Sequence, residues 1–272
     1  MEVTVDGLKY HVQVKGSGPT LLLLHGFTGS IHTWDPWITD WATRFQVVRV
    51  DLPGHGKTAT PKDPSRIEMV QVCRDLAGIL DRIGVERASV LGYSLGGRTA
   101  LSFALTYPER VRALVLESAS PGLEQAEERQ ERVVRDEALA RRIEAEGVVA
   151  FVRRWEEIPL FASQKRLPVA VREQIRGERL NQTAAGLAAS LRGMGTGAQP
   201  SWWGKLESLT RPVLLITGEE DEKFCRIAKR IKTKLPGARL QMVDGAGHAV
   251  HVEQPRRFGT IVADFILDFQ GC

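Results

Sequence analysis

The sequence predicts an α/β domain: a mainly parallel sheet covered by helices on both faces and interrupted by a helical insertion. Three observations predict it. Short apolar runs of strand length recur, among them Leu21 to Leu24, Gln46 to Val50, Ala88 to Leu91 and Pro212 to Ile216. Amphipathic stretches of helical length separate them, and parallel strands need such crossovers. Between Pro121-Gly122 and Trp203 the strand pattern stops, and a helical pattern rich in Glu and Arg replaces it.

In chain order, strands are expected at 2–5 and 8–14, joined as a hairpin by Asp6-Gly7, whose residue types suit the left-handed turn. The buried strand Leu21 to Leu24 follows, then a helix over 34–44, a strand over 46–50 and a helix over 66–83. Next come a strand near 87–92, a helix over 95–107 and a strand over 111–116. After the insertion the rhythm resumes with a strand at 212–216, a helix near 222–234, a strand near 238–243 and a terminal helix near 254–269. The expected organisation is a core of 1–121 and 204–272, with 122–203 inserted as a helical cap.

The 272 residues can bury a large core without staples. Three cysteines, Cys73, Cys225 and Cys272, are an odd number without metal-like spacing, so no disulfide framework is expected and a reducing cytoplasm fits best. The first residues lack a basic segment followed by an apolar one, so no secretory leader is expected. The longest apolar run is far too short to span a bilayer. The net charge of +4 is interleaved rather than clustered, as in Glu127-Glu128-Arg129-Gln130-Glu131-Arg132. That pattern argues against nucleic acid and for a solvated helix face, while mild basicity helps attract small anions. No membrane partner is expected, and a monomer is.

Gly92-Tyr93-Ser94-Leu95-Gly96 fits the G-x-S-x-G turn that raises a serine between a strand and a helix. The serine's strained backbone crowds its neighbours, hence the glycines. The pattern alone is weak, but here it follows an apolar strand and opens a helix. A serine hydroxyl becomes reactive only when another group takes its proton. His248 follows the last predicted strand and Asp221 the one before it, both on loops at the carboxyl ends of parallel strands. Asp221 would fix the imidazole tautomer. Asp221 also suits a helix N-cap. Glu117 is the second-choice acid, and Asp244 lies too near His248 in sequence to reach its Nδ1.

Leu24-His25-Gly26-Phe27 fits the loop that lends a backbone N–H to an oxyanion hole, with Phe27 and Leu95 as the two donors and His25 as a brace. Gly54-His55-Gly56-Lys57-Thr58 ends like a phosphate-binding loop but has Asp51 where that motif needs glycine. His11, His32, His55 and His251 show no ligand spacing, so no metal is expected. Arg98 starts one helical turn after Ser94, whereas Arg129 and Arg179 lie on predicted cap helices. Several guanidinium groups around one pocket would mark a polycarboxylate ligand. Trp155 could add an apolar wall.

Leu24-His25-Gly26-Phe27, Asp51-Leu52-Pro53-Gly54-His55-Gly56 and Gly92-Tyr93-Ser94-Leu95-Gly96-Gly97-Arg98 resemble the α/β-hydrolases generally. Glu117-Ser118-Ala119-Ser120-Pro121-Gly122-Leu123, the stretch from Leu187 to Pro200, and Gly218-Glu219-Glu220-Asp221-Glu222-Lys223-Phe224 are similar to one branch, the 2-succinyl-6-hydroxy-2,4-cyclohexadiene-1-carboxylate synthases of menaquinone biosynthesis. The resemblance covers nearly the whole chain. It implies an α/β-hydrolase fold that eliminates pyruvate from 2-succinyl-5-enolpyruvyl-6-hydroxy-3-cyclohexene-1-carboxylate, a tricarboxylate, without metal or organic cofactor. It also implies substrate-binding roles for Tyr93, Arg98, Arg129, Trp155 and Arg179. Ser201-Trp202-Trp203 departs from the family pattern, and an effect confined to packing at the cap's exit is expected there. The alternatives are a serine hydrolase with the same triad, set apart by pocket charge, and a non-catalytic ligand receptor on the same scaffold.

Overall fold

The computed structural model describes residues 1–269. Strands β1 (Glu2–Val5) and β2 (Leu8–Lys15) form the expected hairpin, with Asp6 and Gly7 both at positive φ in the turn. Strands β3 (Thr20–Leu24), β4 (Gln46–Val50), β5 (Ala88–Tyr93), β6 (Val111–Glu117), β7 (Val213–Gly218) and β8 (Arg239–Val243) complete one sheet in the order β1-β2-β4-β3-β5-β6-β7-β8. All pairs from β4 to β8 are parallel, and only the hairpin edge is antiparallel.

The helices are α1 (Asp35–Trp41), α2 (Met69–Arg82), α3 (Leu95–Thr106), α4 (Ala126–Trp155), α5 (Val169–Leu180), α6 (Ala184–Met194), α7 (Glu222–Lys234), α8 (Val250–Glu253) and α9 (Pro255–Leu267). Two begin later than the apolar pattern suggests. A 3-10 turn over Ile31–Trp34 precedes α1, and another over Pro64–Ile67 precedes α2, where prolines sit at the start and restrict the chain.

Alternation along β3 shows how the core is divided. Leu22 and Leu24 face the α2 and α3 side, with Leu76, Leu80, Leu101 and Phe103. Leu21 and Leu23 face the other side, with Trp34, Trp37, Trp41 and Phe258. A strand buried on both faces reads as a continuous apolar run, which is why β3 lacks a period of two.

Between β6 and β7 the regular elements are all helical. Helix α4 breaks its regularity at Gly147, whose φ of 80° and ψ of 170° are non-helical. Its outer face carries ladders such as Glu131–Arg135 and Glu137–Arg141. Such exposed pairs add only ~0.3–0.5 kcal/mol each. The attachment comes instead from a third apolar cluster, in which Ala140, Ile143, Phe151 and Val152 of α4 meet Leu187, Ala188 and Leu191 of α6, with Phe27 of the core packed against them. Each large side chain buried there is worth ~1.5–3 kcal/mol, so apolar contact decides. Polar latches set the register: Glu178 accepts from Ser30 N–H (2.7 Å), Ser30 Oγ (2.7 Å) and Thr33 Oγ1 (2.9 Å).

Among the described residues no helix is long and apolar enough to cross a membrane. Cys73 and Cys225 are buried free thiols, and Cys272 lies outside the described residues.

Candidate active site

Ser94 ends the turn between β5 and α3 with φ 49° and ψ −105°, a region that costs roughly 1–3 kcal/mol for a residue with a side chain. Its N–H donates to the Glu117 carbonyl (2.9 Å), and its own carbonyl accepts from the Arg98 N–H (2.9 Å), so β6 and α3 hold the strained residue from both sides. Gly96 explains the tight approach of α3 to the next loop. A Cβ there would lie 2.1 Å from the Leu24 carbonyl oxygen and 2.5 Å from that of His25.

The structure brings the three residues together. His248 Nε2 lies 3.0 Å from Ser94 Oγ, and His248 Nδ1 lies 2.7 Å from Asp221 Oδ2. Because a carboxylate accepts, Nδ1 carries the proton, and Nε2 is left to accept from the serine hydroxyl. His248 and Asp221 are buried, and Ser94 is partly accessible. Asp221 is also the N-cap of α7: its Oδ1 accepts from the Phe224 N–H (3.2 Å) while Oδ2 faces the imidazole. Gly218 lets the two loops meet, since a Cβ there would come within 2.2 Å of both the Ala246 and Gly247 carbonyl oxygens. Glu253 braces the histidine from either side, accepting from the Gly247 N–H (2.8 Å) and the Ala249 N–H (3.3 Å). No sequence pattern pointed to Glu253.

The rival acids are engaged elsewhere. Glu117 is fully buried and accepts from the His251 N–H (2.9 Å) and from His251 Nδ1 (2.8 Å). Asp244 pairs with Arg257 at the surface.

Leu95 is the first residue of α3, so its N–H has no acceptor within the helix, and the Phe27 N–H makes no hydrogen bond among the described residues. The loop carrying Phe27 is fixed by His25, which is fully buried. The Leu52 N–H can only donate, and it does so to His25 Nε2 (3.0 Å). Nδ1 is therefore the protonated nitrogen and donates to the Gly26 carbonyl (2.8 Å), which orients the Gly26–Phe27 peptide. Burial lowers the His25 pKa, against the opposing pull of Asp51, in keeping with this neutral tautomer.

His55 packs edge-on against the Phe27 ring, and its Nε2 has no hydrogen-bond partner among the described residues. Burial, with the adjacent His25 adding to it, pushes its pKa down from 6.5 to about 3. Below pH 6.5 the unfolded chain takes up a proton that the folded protein refuses until about pH 3. Stability therefore falls as pH is lowered through that window, by up to about 1.4 kcal/mol per pH unit. Urea titrations between about pH 6 and about pH 4 should show a shallower acid slope for His55→Gln; an unchanged slope would contradict this assignment.

Ser94, Leu95, His248 and Phe27 line a cavity of about 450 Å3. Four cations, Arg98, Arg132, Lys223 and Arg230, and two carboxylates, Glu124 and Glu128, share its wall. Arg98 donates to the Met194 carbonyl (2.8 Å) and to Gln199 Oε1, both neutral. Burial pushes its pKa down to about 9, with Arg132 adding and Asp136 opposing, so it is still charged at neutral pH. Trp155 lines the cavity too, and its buried Nε1 has no partner in the protein among the described residues.

The other expected binding residues fall elsewhere. Arg129 does not line this cavity; it donates to the Leu123 (3.0 Å) and Glu124 (2.7 Å) carbonyls and so braces the start of the cap. The cap arginine on the wall is Arg132, one turn further along α4, held by buried Asp136 (2.8 Å). Both belong to the run Glu127 to Arg132, and helical spacing puts positions three apart on one face, so the sequence leaves this choice open. Arg179 and Tyr93 line a second cavity of about 250 Å3. Arg179 is buried with its guanidinium 4.7 Å from the centre of the Phe161 ring. Phe27, Trp155 and Phe161 touch edge to face and partition the two spaces. Trp203 lines the larger cavity, whereas Trp202, the departing residue before it, is buried and donates to Ser102 Oγ (2.7 Å).

This fold and this triad define the α/β-hydrolase class. A family model for the α/β hydrolase fold matches residues 19–255. A Bacillus subtilis (strain 168) protein, provisionally named a 2-succinyl-6-hydroxy-2,4-cyclohexadiene-1-carboxylate synthase, is 47% identical over 269 residues, covering 98% of this chain and 98% of that one. A Klebsiella pneumoniae protein with the same synthase name is 33% identical, covering 87% and 89%. The structure of MenH from S. aureus superposes with a TM-score of 0.91 at 34% identity, covering 96% and 98%. The chain belongs to the 2-succinyl-6-hydroxy-2,4-cyclohexadiene-1-carboxylate synthase family.

Proposed function

We propose that the protein is a cytoplasmic lyase of menaquinone biosynthesis. It eliminates pyruvate from 2-succinyl-5-enolpyruvyl-6-hydroxy-3-cyclohexene-1-carboxylate to give the cyclohexadiene product named in its relatives. Residues 122–203 act as its cap. One observation carries the reading beyond fold and kinship: Arg98, one helical turn from Ser94, faces the same cavity, and its hydrogen-bond acceptors among the described residues are the neutral Met194 carbonyl and Gln199 Oε1. A buried cation whose hydrogen-bond acceptors are neutral suits an anionic ligand. Of the three expected arginines Arg98 alone lines this wall, and Arg132, Lys223 and Arg230 supply its other cations.

In the proposed mechanism His248 takes the Ser94 proton as the serine oxygen removes the proton from the ring carbon bearing the succinyl group. The Phe27 and Leu95 amides hold the ketone oxygen as it becomes an enolate. When the ketone re-forms, a double bond forms at the deprotonated carbon. The ring alkene shifts by one bond, and the C–O bond to the enolpyruvyl group breaks. The departing enolpyruvate takes up a proton to become pyruvate, which restores the neutral triad. Arg98 and Arg132 orient the carboxylates and lower the entropic part of the barrier. Trp155 Nε1 is free to donate to a substrate oxygen. Across the aromatic partition, Tyr93 and Arg179 complete the binding surface.

The test is incubation with this substrate, following pyruvate release and loss of the isolated ring alkene, with a p-nitrophenyl ester assayed in parallel. Pyruvate release without substantial ester cleavage is expected; the reverse would make the protein a serine hydrolase. Arg98→Gln should raise KM by about tenfold, the worth of one charge-assisted hydrogen bond.

A further inference from the structure

The larger cavity opens beside an ion pair that bridges the core and the cap. Arg230 on α7 donates to Glu124 at 2.6 Å, and both line the cavity although their side chains are 57% and 40% exposed. They therefore stand at its solvent side. The two partners are held very differently from their surroundings. The Arg230 guanidinium stacks on the Trp203 ring at 4.2 Å from its centre. Trp203 in turn donates from Nε1 to the Gly122 carbonyl (2.9 Å), so the platform is tied to the segment that carries Glu124. Arg129 clamps the backbone of that segment at Leu123 and Glu124. Arginine and loop are thus both fixed in place, and the Glu124 carboxylate is the part free to move.

We propose that Arg230 is a specificity-determining residue whose guanidinium exchanges Glu124 for a carboxylate of the incoming substrate. An exposed ion pair contributes little to stability, so little opposes the exchange. Stacking on Trp203 keeps the guanidinium plane oriented while the partner changes, which favours planar, two-pronged recognition of a carboxylate. With no substrate bound, Glu124 satisfies the cation and masks it from monocarboxylates, which lack a second charge to anchor deeper in the cavity at Arg98. The ligand class selected is a small molecule with at least two carboxylates, one deep and one at the mouth.

This rests on the lyase reading for its natural substrate, but not for its test. Two measurements are made on Glu124→Gln, Arg230→Gln and the double variant: steady-state pyruvate release, and calorimetric binding of tricarballylate. Glu124→Gln should lower KM and tighten tricarballylate a few-fold, because the competitor is gone. Arg230→Gln should weaken both by about tenfold with kcat little changed. The double variant should match Arg230→Gln alone. If the parent protein releases no pyruvate, the lyase reading fails and the tricarballylate titration still decides the exchange. Equal weakening by both single variants would make the pair a structural brace and overturn the proposal, as would unchanged binding in Arg230→Gln.

Discussion

Ser94→Ala is expected to lower kcat for pyruvate release by roughly 10²–10⁴-fold, the range for losing a positioned proton acceptor, with KM little changed. The hydroxyl lies 3.0 Å from His248 Nε2, and Ser94 lines the cavity. Removing it leaves the imidazole intact but withdraws the atom that meets the ring proton. Binding should survive, because the groups assigned to the carboxylates are Arg98 and Arg132, not the serine. Steady-state kinetics on protein whose urea unfolding matches the parent will check this. Near-normal turnover would mean that His248 reaches the substrate without the serine.

Asp221→Asn is expected to cost about 10⁴-fold in kcat. The carboxylate accepts at Oδ2 from His248 Nδ1 and at Oδ1 from the Phe224 N–H, so orientation and capping depend on one side chain. An amide can still cap α7. It can also turn its N–H₂ toward the imidazole, which would place the proton on Nε2 and leave nothing to accept from Ser94. The loss should therefore appear in turnover far more than in stability. Glu117→Gln offers the contrast. Glu117 serves His251 rather than His248, so its replacement should act mainly on stability through a disturbed buried pair. A larger fall in kcat for Glu117→Gln than for Asp221→Asn would reverse the assignment of the acid.

The strands and the triad were legible because each leaves a local signature. A strand buried on both faces is an apolar run, and β4 and α7 begin and end where the sequence places them. Asp221 and His248 each follow a strand, so parallel topology alone carries them to the edge where Ser94 stands. The cavity wall was less legible because it depends on helix register and on distant partners. In a helix as polar as α4, nothing local separates Arg129 from Arg132, and the choice is made by Asp136 and by how α4 meets α6. Tyr93 follows Gly92 in the elbow, and its ring lies 4.4 Å from the His251 ring centre and 5.4 Å from that of His248. Arg179 matched the family pattern, but only the fold shows that its guanidinium lies over the Phe161 ring, which itself meets the His248 ring. Arg230 carried no signal at all, because its meaning comes from Trp203 and Glu124, both remote in sequence.

In the proposed mechanism a serine made basic by His248 removes a ring proton, with no bond formed between serine and substrate. The most direct measurement uses substrate deuterated at the ring carbon bearing the succinyl group, comparing kcat/KM with the undeuterated compound while the protein's intact mass is followed during turnover. A normal primary isotope effect and an unchanged protein mass are expected. No isotope effect, together with a substrate-derived mass on Ser94, would contradict that mechanism.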